Sequence, residues 1–231
     1  MDPIRWLLGV VMSSRALVTL AWKAAYVGKF DRWNAANRFP EIAGRRQLHE
    51  HVMNLFAGQQ ITYLEFGVHK GESLRWWVEG NAHPRSRFVG FDSFAGLPET
   101  WRKGFPKGHF STGGVPPEID DSRCEFKVGW FQSTLPRLLR EGDITTPIVA
   151  HLDGDLYSST LFVLFALAPS LKTGDVLILD DFTNTLHVFR ALTDFTAAGL
   201  LPLQPLVTNE AMRRIAVRVA PATDAPGVLL P

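Results

Sequence analysis

Pro147-Ile-Val-Ala-His-Leu-Asp153-Gly-Asp155-Leu-Tyr157 and, after an apolar run of about helix length, Val176-Leu-Ile-Leu-Asp180-Asp181-Phe182 decide the fold. The two short runs rich in Val, Ile and Leu flank a helix-sized segment, the pattern of a strand–helix–strand unit in a parallel sheet. Each run ends in acid. In an open α/β sheet, chemistry gathers in the crevice at the carboxyl ends of the strands. Two neighbouring strands therefore bring Asp153, Asp155, Asp180 and Asp181 towards one place. Carboxylates so close repel one another, and a cation is their natural partner.

The preceding chain supplies the rest of such a sheet. Ile61-Thr-Tyr-Leu-Glu65-Phe-Gly67 reads as the first strand and runs into Gly67-Val-His-Lys-Gly71-Glu-Ser73, then a helix carrying Leu74, Trp77 and Val78. Glycines at such a strand–helix turn allow close backbone approach, and the helix start offers free N–H groups to an anion. The spacing is not the G-x-G-x-x-G of dinucleotide folds. A second strand, residues 87–92, ends in Asp92. A carboxylate there suits a ribose diol, while a turn cap at Ser93 is its plainer use. A third strand reaches Gly129-Trp130, and Trp130 and Phe131 suit either an adenine wall or the core. Residues 97–119, rich in Gly and Pro, are expected to form a functional loop or lid.

After the acidic pair, the helix around His187 leads to an edge strand holding Pro202 and Pro205, then to an alternating strand through Ile215, Val217 and Val219. Residues 48–55 carry apolar side chains at helical spacing and should pack on the sheet. The expected organisation is an N-terminal helical extension and connector over 1–58, one α/β domain over 59–220, and a tail over 221–231. The 24 basic and 23 acidic side chains leave a net charge of +1, giving no electrostatic case for nucleic acid. One cysteine, Cys124, excludes an internal disulfide and fits a reducing, cytoplasmic setting. Residues 4–27 are apolar but interrupted by Arg5, Arg15 and Lys23, too charged for a membrane span. A signal peptide over 1–25 would gather its cations at the start, and here they are spread. Amphipathic helices are expected instead, packing on the domain or on a second copy in a homo-oligomer, or lying peripherally on a membrane surface.

Five blocks in order carry a family resemblance: Leu64-Glu-Phe-Gly-Val-His-Lys-Gly-Glu-Ser73, Val89-Gly-Phe-Asp-Ser-Phe-Ala-Gly-Leu-Pro98, Gly108-His-Phe-Ser-Thr-Gly-Gly114, Leu152-Asp-Gly-Asp-Leu-Tyr157 and Leu179-Asp-Asp-Phe182. Together they resemble the class I S-adenosylmethionine-dependent methyltransferases, most closely the macrocin O-methyltransferase family, which methylates sugar hydroxyls. The resemblance implies a Rossmann-like, doubly wound seven-stranded sheet with the last strand antiparallel and helices on both faces. It implies Asp153, Asp180 and Asp181 as ligands of a divalent metal, and hard oxygen donors suit Mg²⁺. It further implies Asp155 as general base; His187, which follows the second acid-tipped strand, is the second candidate. Gly67 and Gly71 would lie along the methionine part of S-adenosylmethionine, Ser73 near its carboxylate, and Asp92 on the ribose. Gly129, Trp130 and Gln132 would border the adenine, and Glu65 is either near the amino group or an anchor of the turn.

The reaction so implied is O-methylation of a small-molecule or glycan acceptor, a sugar or another vicinal diol. Two other readings keep the same residues in view. One is an inactive glycan- or membrane-associated binding protein. The other is a metal-dependent oxygenase resembling cephalosporin hydroxylase, which would want two histidines and one carboxylate. His69, His109 and His151 are read as structural or solvated.

Overall fold

The computed structural model describes residues 14–221 apart from 143, 146 and 200. Part of the apolar N-terminal segment and all but the first residue of the tail therefore lie outside the described residues. Helix α1 (Arg15–Ala36) leads through a two-residue strand β1 (Glu41–Ile42) to α2 (Arg45–Asn54). Next come β2 (Thr62–Phe66), α3 (Glu72–Gly80), β3 (Arg87–Asp92), β4 (Cys124–Val128), α4 (Phe131–Glu141), β5 (Ile148–Leu152) and α5 (Tyr157–Leu167). The chain ends with β6 (Val176–Leu179), α6 (Val188–Ala197), β7 (Leu203–Asn209) and β8 (Arg214–Val219).

The strands form one sheet in the order β1-β7-β8-β6-β5-β2-β3-β4. β8 inserts between β6 and β7 antiparallel to both, as the resemblance implies. The seven expected strands are present, and β1 adds an eighth by pairing with the end of β7. The proline-bearing strand β7, expected at an edge, has the two-residue β1 outside it, paired at Thr208 and Asn209, and a register shift follows Pro205.

Because side chains alternate along a strand, the sheet builds two cores. Leu64, Phe66, Ala150, Leu152, Leu177 and Leu179 face α1, α4, α5 and α6. Tyr63, Val149 and Ile178 face α2 and α3, through Leu48, Val52, Leu74 and Trp77. The helix after β5, apolar on most sides, is not covered on all of them: Phe165 is 42% exposed. The second half of α1 packs on the domain, with Trp33 tilted against Phe182 and edge-on to Phe189. Nearer its start Leu17, Leu20 and Trp22 are exposed, with the Arg190 guanidinium over the Trp22 ring at 4.8 Å. Among the described residues no helix is long and apolar enough to cross a membrane.

Parallel register fixes the geometry that matters. Phe66 lies beside Leu152 and Leu152 beside Leu179. The tips of β2, β5 and β6 therefore end level, and the turns leaving these three strands meet in one cleft.

Candidate active site

That cleft encloses about 980 Å³. Its walls are the Gly67 turn, the start of α3, Asp92, Trp130 and Gln132, and the residues after β5 and β6.

The turn after β2 is held from below. Glu65 is fully buried, and its carboxylate accepts hydrogen bonds from Tyr63 Oη (2.6 Å) and Ser73 Oγ (3.0 Å). His151 Nδ1 lies 3.4 Å from the same carboxylate, with the His49 ring 4.7 Å from the His151 ring. Burial, with His151 beside it, holds His49 well below the usual histidine range. Glu65 thus stands behind the cleft wall rather than on it. Gly67 has φ +97°, and a Cβ there would run into the Asp153 carbonyl oxygen. Gly67→Ala is expected to lower stability by about 1–3 kcal/mol, measured by urea denaturation. An unchanged midpoint would mean that the tip of β5 moves aside freely.

Asp92 anchors the same turn. Its carboxylate accepts the amides of Val68 (2.9 Å), His69 (2.8 Å) and Phe94 (2.8 Å). Both suggested uses of Asp92 therefore start from a carboxylate already fixed by backbone donors, facing the cleft. Gly71 caps α3, and Gly129 donates its amide to Asp92 O (2.9 Å); neither lines the cleft. Trp130 is 43% exposed on the wall, and Phe131, also on the wall, packs edge-on against Phe66. The long loop over 97–119 closes on itself through Leu97 N to His109 O (2.9 Å) and Trp101 edge-on to Phe105.

The four aspartates line one wall. Asp153 Oδ2 accepts Arg45 Nη2 at 3.0 Å, and Asp180 accepts Arg214 Nε at 2.8 Å. Arg45 Nε is also 3.5 Å from Asp180. Withdrawal from solvent, reinforced by the like charge of Asp180, pushes the Asp153 carboxyl well above its ordinary range despite Arg45. Asp155 does not continue the strand: it turns at φ +59° and is buried. Burial first, then Asp181 and Asp180, raises its carboxyl to about 7. Asp181 is raised by burial and Asp180, and Arg213 stands 3.6 Å away.

Two residues fall elsewhere than the implied roles suggest. Among the described residues, the His/Cys/Asp/Glu cluster compact enough for a cation joins His151, Asp153 and Asp180, with ligand atoms within 4.8 Å of one another. Asp181 is not part of that cluster and instead faces Asp155. His187 does not line the cleft; its Nδ1 accepts the Tyr157 amide at 3.2 Å. Arg45, Arg213 and Arg214 do not stand out in the sequence, since nothing local links them to the acids. The donor set fits a divalent cation: hard carboxylate oxygens from two strand ends, with burial first and mutual crowding second suppressing the acidity of Asp153, Asp155 and Asp181.

A parallel sheet with one inserted antiparallel strand, a glycine turn and acid-tipped central strands is the layout that the resemblance to class I methyltransferases implies. The fold matches solved members: a calicheamicin methyltransferase with TM-score 0.61, 23% identity and coverage of 75% of this chain and 77% of that one, and the O-methyltransferase NovP with TM-score 0.57, 22% identity and coverage of 76% and 78%. In sequence, residues 117–208 match the macrocin O-methyltransferase (TylF) family model, which bears out the resemblance. The chain is 40% identical over 65 residues to a demethyldecarbamoylnovobiocin O-methyltransferase of Streptomyces niveus, covering 28% of this chain and 23% of that protein. It is 32% identical over 140 residues to an 8-demethyl-8-(2,3-dimethoxy-alpha-L-rhamnosyl)-tetracenomycin-C 4'-O-methyltransferase of Streptomyces olivaceus, covering 52% of each. The chain thus spans about half or less of the length of the curated relatives it matches.

Proposed function

We propose that the protein is a metal-dependent O-methyltransferase that moves a methyl group from S-adenosylmethionine to a hydroxyl of a sugar or other vicinal diol, in natural-product or glycan biosynthesis. The observation that carries this reading is the meeting of Asp153, Asp155, Asp180 and Asp181 in a cleft that the Gly67 turn and Asp92 also line. The names of the similar proteins, which include sugar O-methyltransferases, support the acceptor class.

In this reading Asp153 and Asp180 hold the cation, with Asp181 or His151 completing the set. A divalent cation bound there would lower the pKa of an acceptor hydroxyl and fix its position. Asp155, raised to about 7, takes the hydroxyl proton. Asp92 orients the ribose of the cofactor, and Trp130 with Gln132 borders its base. The aromatic loop over 97–119 excludes water from the cleft and aligns the attacking oxygen, which is where most of the rate gain of such a transfer arises. The oxygenase reading is less well supported, because the compact cluster holds one histidine and two carboxylates rather than the reverse.

Calorimetric titration of S-adenosylhomocysteine, with Mg²⁺ and with EDTA, tests the cofactor directly. Binding is expected in both conditions, with methyl transfer to a sugar acceptor abolished by EDTA and by Asp153→Ala. No binding in either condition removes the methyltransferase reading and favours the binding protein. Normal turnover of Asp153→Ala in chelator removes the metal from it.

A further inference from the structure

We propose that Arg45 is an internal stand-in for the divalent cation, and that its displacement couples metal binding to cofactor binding. The inference rests on the proposed function and adds a residue that the fold's acids do not by themselves point to. The Arg45 guanidinium spans the two carboxylates at the tips of β5 and β6, 3.0 Å from Asp153 and 3.5 Å from Asp180. Its Nε is buried without a hydrogen-bond partner, so the contact with Asp180 is electrostatic and imperfect. A cation that binds Asp153 and Asp180 meets this like charge at the same oxygens, and one of the two must leave.

Arg45, not Arg214, is the side chain free to go. Arg214 is 8% exposed and doubly paired, to Asp180 at 2.8 Å and to Glu210 at 3.1 Å. Arg45 is 28% exposed and already borders an alternative seat at the start of α3, with Glu72 at 3.6 Å and Ser73 Oγ at 3.5 Å. The Trp76 ring, 5.8 Å from the guanidinium, offers a face along which it can slide. Its backbone begins α2 directly after Gly44, whose φ of +73° marks a joint that glycine adopts without strain. In that second seat the guanidinium stands beside Ser73 and the free N–H groups of the α3 start, the place a cofactor carboxylate would take. Asp153 gives up Arg45 as it gains the metal, and the cofactor gains an arginine.

The test is calorimetry on the full chain, titrating Mg²⁺ alone and S-adenosylhomocysteine in Mg²⁺ or EDTA. In the wild type, Mg²⁺ is expected to tighten S-adenosylhomocysteine by about fivefold or more, and by linkage the ligand tightens Mg²⁺ equally. Arg45→Gln is expected to bind Mg²⁺ at least about fivefold more tightly, to bind S-adenosylhomocysteine more weakly, and to lose the coupling. Coupling that survives in Arg45→Gln, or an unchanged Mg²⁺ affinity, overturns the proposal. So does a wild type that binds both ligands independently, an outcome that leaves the methyltransferase reading standing. A wild type that binds no S-adenosylhomocysteine removes both. If Arg45→Gln does not fold, Arg45→Lys carries the test. A point charge cannot span both carboxylates, so its coupling should shrink by about twofold or more, and wild-type coupling in it overturns the proposal.

Discussion

Replacing Asp155 with Asn is expected to lower kcat for methyl transfer by about 10²–10⁴-fold, the range associated with loss of a positioned acid or base, while S-adenosylhomocysteine affinity stays near that of the wild type. The reason lies in where Asp155 stands. It turns out of β5 into the left-handed region and is buried against Asp181. A carboxyl raised to about 7 by burial and by Asp181 and Asp180 is half ionised near neutrality. Turnover should therefore fall as pH drops through about 7, and a cation on the neighbouring acids would move that limb to lower pH. Stability runs the other way. The folded protein holds this proton more tightly than the unfolded chain, whose aspartate titrates near 3.8. Ionising Asp155 thus opposes folding increasingly from about pH 4 and fully above about 7. In EDTA, Asp155→Asn should raise the thermal midpoint at pH 8 and leave it almost unchanged near pH 4. A variant that keeps wild-type kcat would transfer the base role to another group, and His187, turned to the Tyr157 amide, is poorly placed for it.

The elements that put Asp155 there are legible in the sequence because each obeys a local rule. β5 and β6 are short, branched and ended by acid, and the alternation of Ile215, Val217 and Val219 marks β8. Pro202 and Pro205 mark a strand towards the edge of the sheet, which β7 is but for the two residues of β1 outside it. β1 is not legible, since two residues carry no periodicity. The answering charges escape for a different reason. Arg45 lies 108 residues before Asp153 and Arg214 lies 34 after Asp180, and only the closed sheet brings them together. Repulsion among the acids does call for a cation, as the sequence implies. The fold answers first with guanidinium groups, which no spacing of aspartates reveals. The cluster of His151 with Asp153 and Asp180 is half legible: alternation puts His151 on the face of Asp153, but only the register with β2 shows Glu65 behind it.

Arg214→Met is expected to destabilise the metal-free protein by about 3–5 kcal/mol, the cost of leaving a buried charge without its partner. Arg214 opens β8 at the point where the antiparallel ladder places Ile215 beside Leu179, so its side chain arrives level with Asp180. Asp180 is only 4% exposed, and after the Arg214 contact its other oxygen accepts the Asp181 amide at 2.7 Å. Removing the guanidinium leaves this carboxylate with Arg45 at 3.5 Å as its nearest remaining counter-charge. Methionine fills most of the volume, so the loss measured is mainly electrostatic rather than a cavity. Urea denaturation in EDTA reads the cost, and a difference below about 1 kcal/mol would show that Arg45 alone suffices, since surface-like pairs contribute no more than that. Repeating the measurement in Mg²⁺ separates structure from function. A ligand that binds only the folded chain stabilises it in proportion to its affinity, and a carboxylate freed from Arg214 is a stronger ligand. Mg²⁺ should therefore stabilise Arg214→Met more than the wild type, recovering part of the loss. Equal Mg²⁺ effects on the two proteins would mean that Asp180 serves the fold and not the cation, and the ligand set would then have to be sought in Asp153 and Asp181.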